Sequence, residues 1–76
     1  MNAKRRFELK TAGDYLSKAK EIVDRVLDEE QDALDNMPEN LESSPRVEKM
    51  EDAVDLLECL AENLEDAVTW VRDAAL

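Results

Sequence analysis

The stretch from Val47 to Leu76 constrains the fold most, because its apolar residues recur at alternating steps of three and four. Two overlapping series share this spacing. The first is Met50, Val54, Leu57, Ala61, Leu64, Val68, Val71 and Ala75; the second is Ala53, Leu57, Leu60, Leu64, Ala67, Val71 and Ala74. Two such series predict a helix that is buried along a broad stripe, wider than the edge of a simple coiled coil.

The first helix of the chain is predicted over about residues 3–36. Its apolar positions are Ala12, Leu16, Ala19, Val23, Val26 and Ala33, widened by Tyr15, Ile22, Leu27 and Leu34. The residues Thr11–Asp14 form a capping-box pattern that offers a later start at Ala12. We favour one continuous helix, in which Gly13 is tolerated at a cost of about 1 kcal/mol.

A connector over residues 37–44 separates the two helices. Pro38 disfavours helical geometry at Met37, and the pair Ser44–Pro45 is a typical helix start. The second helix is therefore expected over about residues 45–75. Two long helices joined by a short connector predict one all-α domain over residues 1–76, an antiparallel helical hairpin.

Folding the chain in the middle of this connector places residue i of the first helix opposite residue 81 − i of the second, with a margin of about three residues. Trp70 then falls opposite Thr11–Gly13, and Gly13 could form a notch for its indole. The same register brings basic and acidic side chains of the two helices near each other. The expected groups are Asp32 and Asp35 with Lys49 and Arg46, and Lys18 and Lys20 with Glu62 and Glu65.

Oligomerisation is expected because 76 residues form only a small core and the single cysteine, Cys59, excludes an internal disulfide. Two helices cannot cover stripes of this width. The simplest closure is a homodimer, an antiparallel four-helix bundle, and the alternative is a structural subunit of a hetero-oligomer. The predicted oligomer interface is Leu16, Val23, Val26, Met50, Val54, Leu57, Leu60, Leu64, Val68 and Val71.

The charge is strongly acidic and unevenly distributed. The formal net charge is −10, although residues 1–20 alone carry six basic and two acidic residues, a net of +4. So acidic a body is expected to bind neither nucleic acid nor membranes directly, and to attract basic proteins. No signal peptide or apolar run of about 20 residues is present, which predicts a soluble, cytoplasmic protein.

Residues suited to catalysis are few, so we expect a non-enzymatic protein without cofactor or metal. Histidine is absent, and a single glycine cannot form a phosphate-binding loop. Cys59 has no histidine partner and lies between two glutamates, which favours a buried or half-buried apolar role over a nucleophile.

One series of carboxylates stands out in the second helix. We call it the acidic row: Glu48, Glu51, Asp55, Glu58, Glu62 and Glu65. It is explained either as a solvated face or as an imitation of a nucleic-acid backbone that binds a basic protein. Trp70 is the other candidate partner-binding residue, with packing inside the bundle as its alternative role.

The run Leu34–Leu41, followed by Glu48–Asp55 and Leu64–Ala67, resembles short acidic helical proteins of unknown function encoded by bacterial phages and other mobile elements. The resemblance covers about the last two-thirds of the chain. It implies a small inhibitor or accessory factor that acts on a protein, and it implies no reaction, ligand or functional residue.

Overall fold

The computed structural model describes all 76 residues and consists of two long helices with a short helical turn between them. Helix α1 spans Ala3–Asp35, a 3-10 turn spans Glu39–Leu41, and helix α2 spans Pro45–Ala74. There is no strand, and the two helices contact each other along their length. The fold is therefore an all-α helical hairpin whose Cα atoms extend over 59 × 14 × 13 Å.

Helix α1 is continuous through Gly13 and begins nine residues before the alternative start at Ala12. The Asn2 side chain accepts a hydrogen bond of 2.8 Å from the backbone N–H of Arg5 and so caps the first turn. The Thr11 hydroxyl donates to the carbonyl of Phe7, one turn earlier, instead of capping a new helix.

Helix α2 begins at Pro45 with Ser44 as its cap. The backbone N–H of Val47 donates a hydrogen bond of 3.3 Å to the Ser44 hydroxyl. Proline is well suited to the first helical position, where its missing N–H leaves no hydrogen bond unmade. The chain thus reverses direction between Asn36 and Ser44, and α2 returns along α1.

Gly13 gives the register of the hairpin. A Cβ added to it would lie 3.4 Å from Cγ1 of Val71. Residue i of α1 therefore lies opposite about 84 − i, three residues from the central value expected from the sequence. The predicted notch for Trp70 is wrong, because Val71 occupies the space beside Gly13 while Trp70 lies on the outside, 67% exposed.

The seam between the helices contains the only two buried residues of the chain, Val47 and Val54, which are 3% and 5% exposed. On α1 it follows half-buried residues at alternating steps of four and three: Leu9, Gly13, Leu16, Lys20, Val23, Leu27, Glu30 and Leu34. On α2 it follows Val47, Met50, Val54, Leu57, Ala61, Leu64, Val68, Val71 and Ala75. Neither helix is long and apolar enough to cross a membrane.

Candidate functional site

Most of the predicted interface residues lie in the seam of the hairpin itself. Eight of the ten are half-buried or buried there, namely Leu16, Val23, Met50, Val54, Leu57, Leu64, Val68 and Val71. The other two, Val26 and Leu60, are exposed. A surface that is free to bind a further partner therefore lies beside the seam and not in it.

Exposed apolar side chains flank the seam on both helices, and we call them the apolar face. Its large members are Tyr15, Ile22, Val26, Leu56, Leu60 and Trp70. Six alanines lie between them, of which Ala33 and Ala74 are exposed and Ala12, Ala19, Ala53 and Ala67 are half-buried. Large exposed apolar surfaces of this kind are uncommon on soluble monomers and mark sites of interaction.

The heptad positions show that these residues share one side of the hairpin. With the seam at positions a and d, each alanine, together with Val26 and Leu60, immediately precedes an a residue and is a g position. Tyr15, Ile22 and the aromatic Trp70 are c positions, as is Leu56. Because reversing one helix of a parallel pair exchanges its two flanks, g positions of antiparallel helices lie on the same side.

The opposite side is polar, and we call it the polar face. A shallow cleft of about 250 Å³ between the helices is lined there by Ser17, Lys20, Glu21, Asp24, Glu65, Val68, Thr69 and Arg72. Seven of these eight residues are polar or charged. The cleft brings together e and b positions of both helices, which is the arrangement that antiparallel packing requires on the side away from the apolar face.

The acidic row lies on the polar flank of α2. All six carboxylates are exposed, and none of them forms an ion pair. They follow one another along the helix as alternating b and e positions, so that they form a line and not a cluster. No group of three or more carboxylate or thiol side chains in the chain is arranged to hold a metal ion.

Lys20 forms the single ion pair of the chain, with Asp24 of its own helix. Its Nζ lies 2.7 Å from Oδ2 of Asp24. This hydrogen bond raises the pKa of Lys20 above its ordinary value of 10.5, partial desolvation opposes the rise, and the charges of Asp24 and Glu65 add to it. Of the side chains predicted to approach each other between the helices, Lys20 and Glu65 do so, since they line the same cleft, but they form no ion pair with each other. Nor is an ion pair formed by Lys18, Asp32 or Asp35.

A larger cleft of about 450 Å³ lies at the open end of the hairpin, where the chain begins and ends. Its lining is Arg6, Phe7, Leu9, Lys10, Gly13, Asp14, Ser17, Val68, Val71, Arg72 and Ala75. Phe7 is 70% exposed and occupies a b position, so it belongs to the polar face. The cleft is continuous with that face because it shares Ser17, Val68 and Arg72 with the smaller one.

Cys59 is exposed, and the expectation that it is buried is wrong. It occupies an f position, the one farthest from the seam, although apolar Leu60 follows it and Leu56 lies one turn before it. The breadth of the apolar stripe in α2 obscured which edge of that stripe turns toward α1. Leu56 and Trp70 are exposed for the same reason, since they lie on the edge of the stripe that turns away from α1.

Comparisons with protein families, with curated proteins and with solved structures find no match to this chain. The arguments for its function therefore come from its own surfaces. Two of them are distinctive: the apolar face and the acidic row on the opposite flank.

Proposed function

We propose that this chain is a non-enzymatic interaction protein that acts as a homodimer, two hairpins forming one four-helix bundle. The observation that carries the proposal is how little of the chain the hairpin buries. Only two of 76 residues are buried, whereas six large apolar residues of the apolar face stay exposed. Burial of apolar surface is the main driving force of association, and a second hairpin supplies it.

The surface area supports the same proposal quantitatively. The hairpin exposes 5975 Å². A compact monomer of 8.7 kDa exposes about 4,700 Å², so the hairpin has an excess of about 1,200 Å². A small core and a large excess surface are what an obligate oligomer has before it assembles.

The molar mass in solution tests this proposal. Sedimentation equilibrium of the full chain is expected to give twice the 8.7 kDa of one copy. A mass of one copy, from a chain with the helical content of the hairpin, would contradict the homodimer. A chain that is unfolded and monomeric alone, and folds only with a different protein, would favour the hetero-oligomer subunit.

A second function, imitation of a nucleic-acid backbone, is favoured by the acidic row. Its six carboxylates are exposed and unpaired, so their charges are available to a partner. A basic nucleic-acid-binding protein, such as a host nuclease or defence complex that a phage or mobile element counters, would bind such a row by charge, with an affinity that falls as salt rises.

Purified basic nucleic-acid-binding proteins test this second function. Binding is expected to weaken steeply with salt and to be displaced by DNA. It should weaken further when Glu51, Asp55, Glu58 and Glu62 are replaced by glutamine, which keeps the side-chain shape and removes the charge. Binding that is unchanged in this variant would refute the mimicry.

A further inference from the structure

The two faces of the hairpin suggest where a second copy binds. The apolar face carries Leu60 and Ile22 near the middle of the hairpin, with Tyr15 and Trp70 toward the open end. The polar face carries eleven of the twenty carboxylates, including the acidic row. A partner that covers the apolar face leaves every carboxylate of that row in water.

Resting on the proposed homodimer, we infer that the second copy of this chain docks through the apolar face with its hairpin reversed. The two-fold axis then crosses the long axis of the molecule near Ile22 and Leu60. The open end of each hairpin lies beside the connector of the other. This contact differs from the interface expected from the sequence, most of which is used within each hairpin.

The total surface of the hairpin is large enough for a stable dimer. A compact molecule of twice the mass exposes about 7,900 Å², about 4,000 Å² less than two separate hairpins. Obligate homodimers bury about 2,000–5,000 Å² in total. The alanines at the g positions let the helices of the two copies approach closely, while Leu60 and Ile22 fill the space between them.

The distribution of charge decides between the two possible orientations. The open end, residues 1–14 and 70–76, carries five basic and three acidic residues, a net of +2. The connector end, residues 28–56, carries two basic and eleven acidic residues, a net of −9. If the two hairpins pointed in the same direction, their connector ends would lie side by side, each with a net charge of −9. The two ends would then be within the screening length of about 8–10 Å.

Reversed hairpins place each acidic connector end beside a basic open end. The favourable pairing then occurs twice, once at each end of the bundle, because the symmetry repeats it. Charge complementarity of this kind fixes orientation more than it adds affinity. The apolar face therefore provides the binding and the end charges select the direction.

A matched pair of variants tests the choice of face. Leu56 and Phe7 are equally exposed, at 72% and 70%, but they lie on the apolar and the polar face respectively. Leu56→Glu is expected to weaken the dimer at least about a hundredfold, since each dimer contains the change twice and a tenfold loss per site is modest for a buried anchor. Phe7→Glu is expected to leave the dimer at wild-type strength.

The outcomes separate this inference from the function on which it rests. If the wild-type chain is a dimer and Phe7→Glu weakens it as much as Leu56→Glu, or neither does, the face is wrong and the homodimer stands. If the wild-type chain is a helical monomer, the homodimer itself fails. Sedimentation of the three proteins at one concentration distinguishes these results.

A spin-label distance tests the orientation on the intact surface, independently of whether Leu56→Glu folds. Ala3→Cys in a Cys59→Ser background carries one label per chain at the open end, without a change of charge. Reversed hairpins predict a distance of about 57 Å between the two labels, from the helical rise over the residues between Ala3 and Ile22 and back. A distance of about 20 Å, the width of a bundle with both open ends together, would overturn the orientation.

Discussion

Gly13 has no side chain, and its backbone lies directly against the facing helix. An added Cβ there would lie 3.4 Å from Cγ1 of Val71, which is the near limit of ordinary van der Waals contact. Gly13 is inside α1 and has no positive φ. Alanine can therefore adopt the backbone conformation of Gly13 as easily as that of any other helical position.

Gly13→Ala is accordingly expected to stabilise the protein, by about 0.5–1 kcal/mol, because glycine loses more backbone entropy in a helix than alanine does. Urea unfolding of both proteins at one chain concentration measures the change. Gly13→Leu is the steric control and should lower stability, since the larger side chain must displace Val71. A loss of stability in the alanine variant would mean that the helices are packed too closely here for one methyl group.

Lys20 gives the protein a contribution to stability that depends on pH in the alkaline range. Its pKa is raised above 10.5 in the folded state, chiefly by the hydrogen bond to Asp24. A raised folded pKa means that the contribution is fully present below pH 10.5 and is lost as pH rises through the folded value.

The difference in unfolding free energy between wild type and Asp24→Asn should therefore be constant at neutral pH and shrink above pH 10.5. Denaturant unfolding at a series of alkaline pH values measures it. Asp28→Asn on the same helix, where no lysine bond is lost, is the control. A difference that grows with alkaline pH would contradict the sign.

At the scale of elements, each helix begins at a side-chain cap, and the spacing of apolar residues accounts for its amphipathic length. The sequence predicts both helices and the hairpin from this spacing and from Ser44–Pro45. It does not predict which edge of each broad stripe faces the other helix. That choice depends on how each helix is rotated about its own axis, and the observed rotation leaves Trp70 and Leu60 exposed beside the seam.

The cap of α2 is expected to account for about 1 kcal/mol of stability, the usual cost of removing a serine cap. Ser44→Ala removes the hydroxyl that accepts from the N–H of Val47, at the buried start of the seam. Ser43→Ala, one residue earlier, is the matched control and should change little, because its hydroxyl forms no hydrogen bond. Thermal unfolding of the two variants at equal concentration compares them, and equal stability would show that the cap contributes nothing.

At the scale of the whole molecule, an apolar face and an acidic flank make opposite predictions about salt. Two copies that each carry a net charge of −10 repel one another, although their ends attract. Any added salt screens this repulsion, and sulfate in addition strengthens the effect of apolar burial. The dimer is therefore expected to become tighter as sodium chloride or sulfate increases.

Sedimentation across a salt series measures this trend. A basic partner bound to the acidic row should respond in the opposite direction, so the same series separates the two proposed functions. A dimer that dissociates as salt rises would show that ion pairs, and not the apolar face, hold it together.

The central claim is that one hairpin exposes more apolar surface than it can leave in water and is completed by a second copy. The most direct test follows mass and helical content together as the wild-type chain is diluted, by sedimentation and far-ultraviolet circular dichroism. We predict a mass of two copies at high concentration and a loss of helix at the dilution where the mass halves, because a hairpin with two buried residues is marginal alone. A monomer that keeps its full helical content at every concentration would contradict the account.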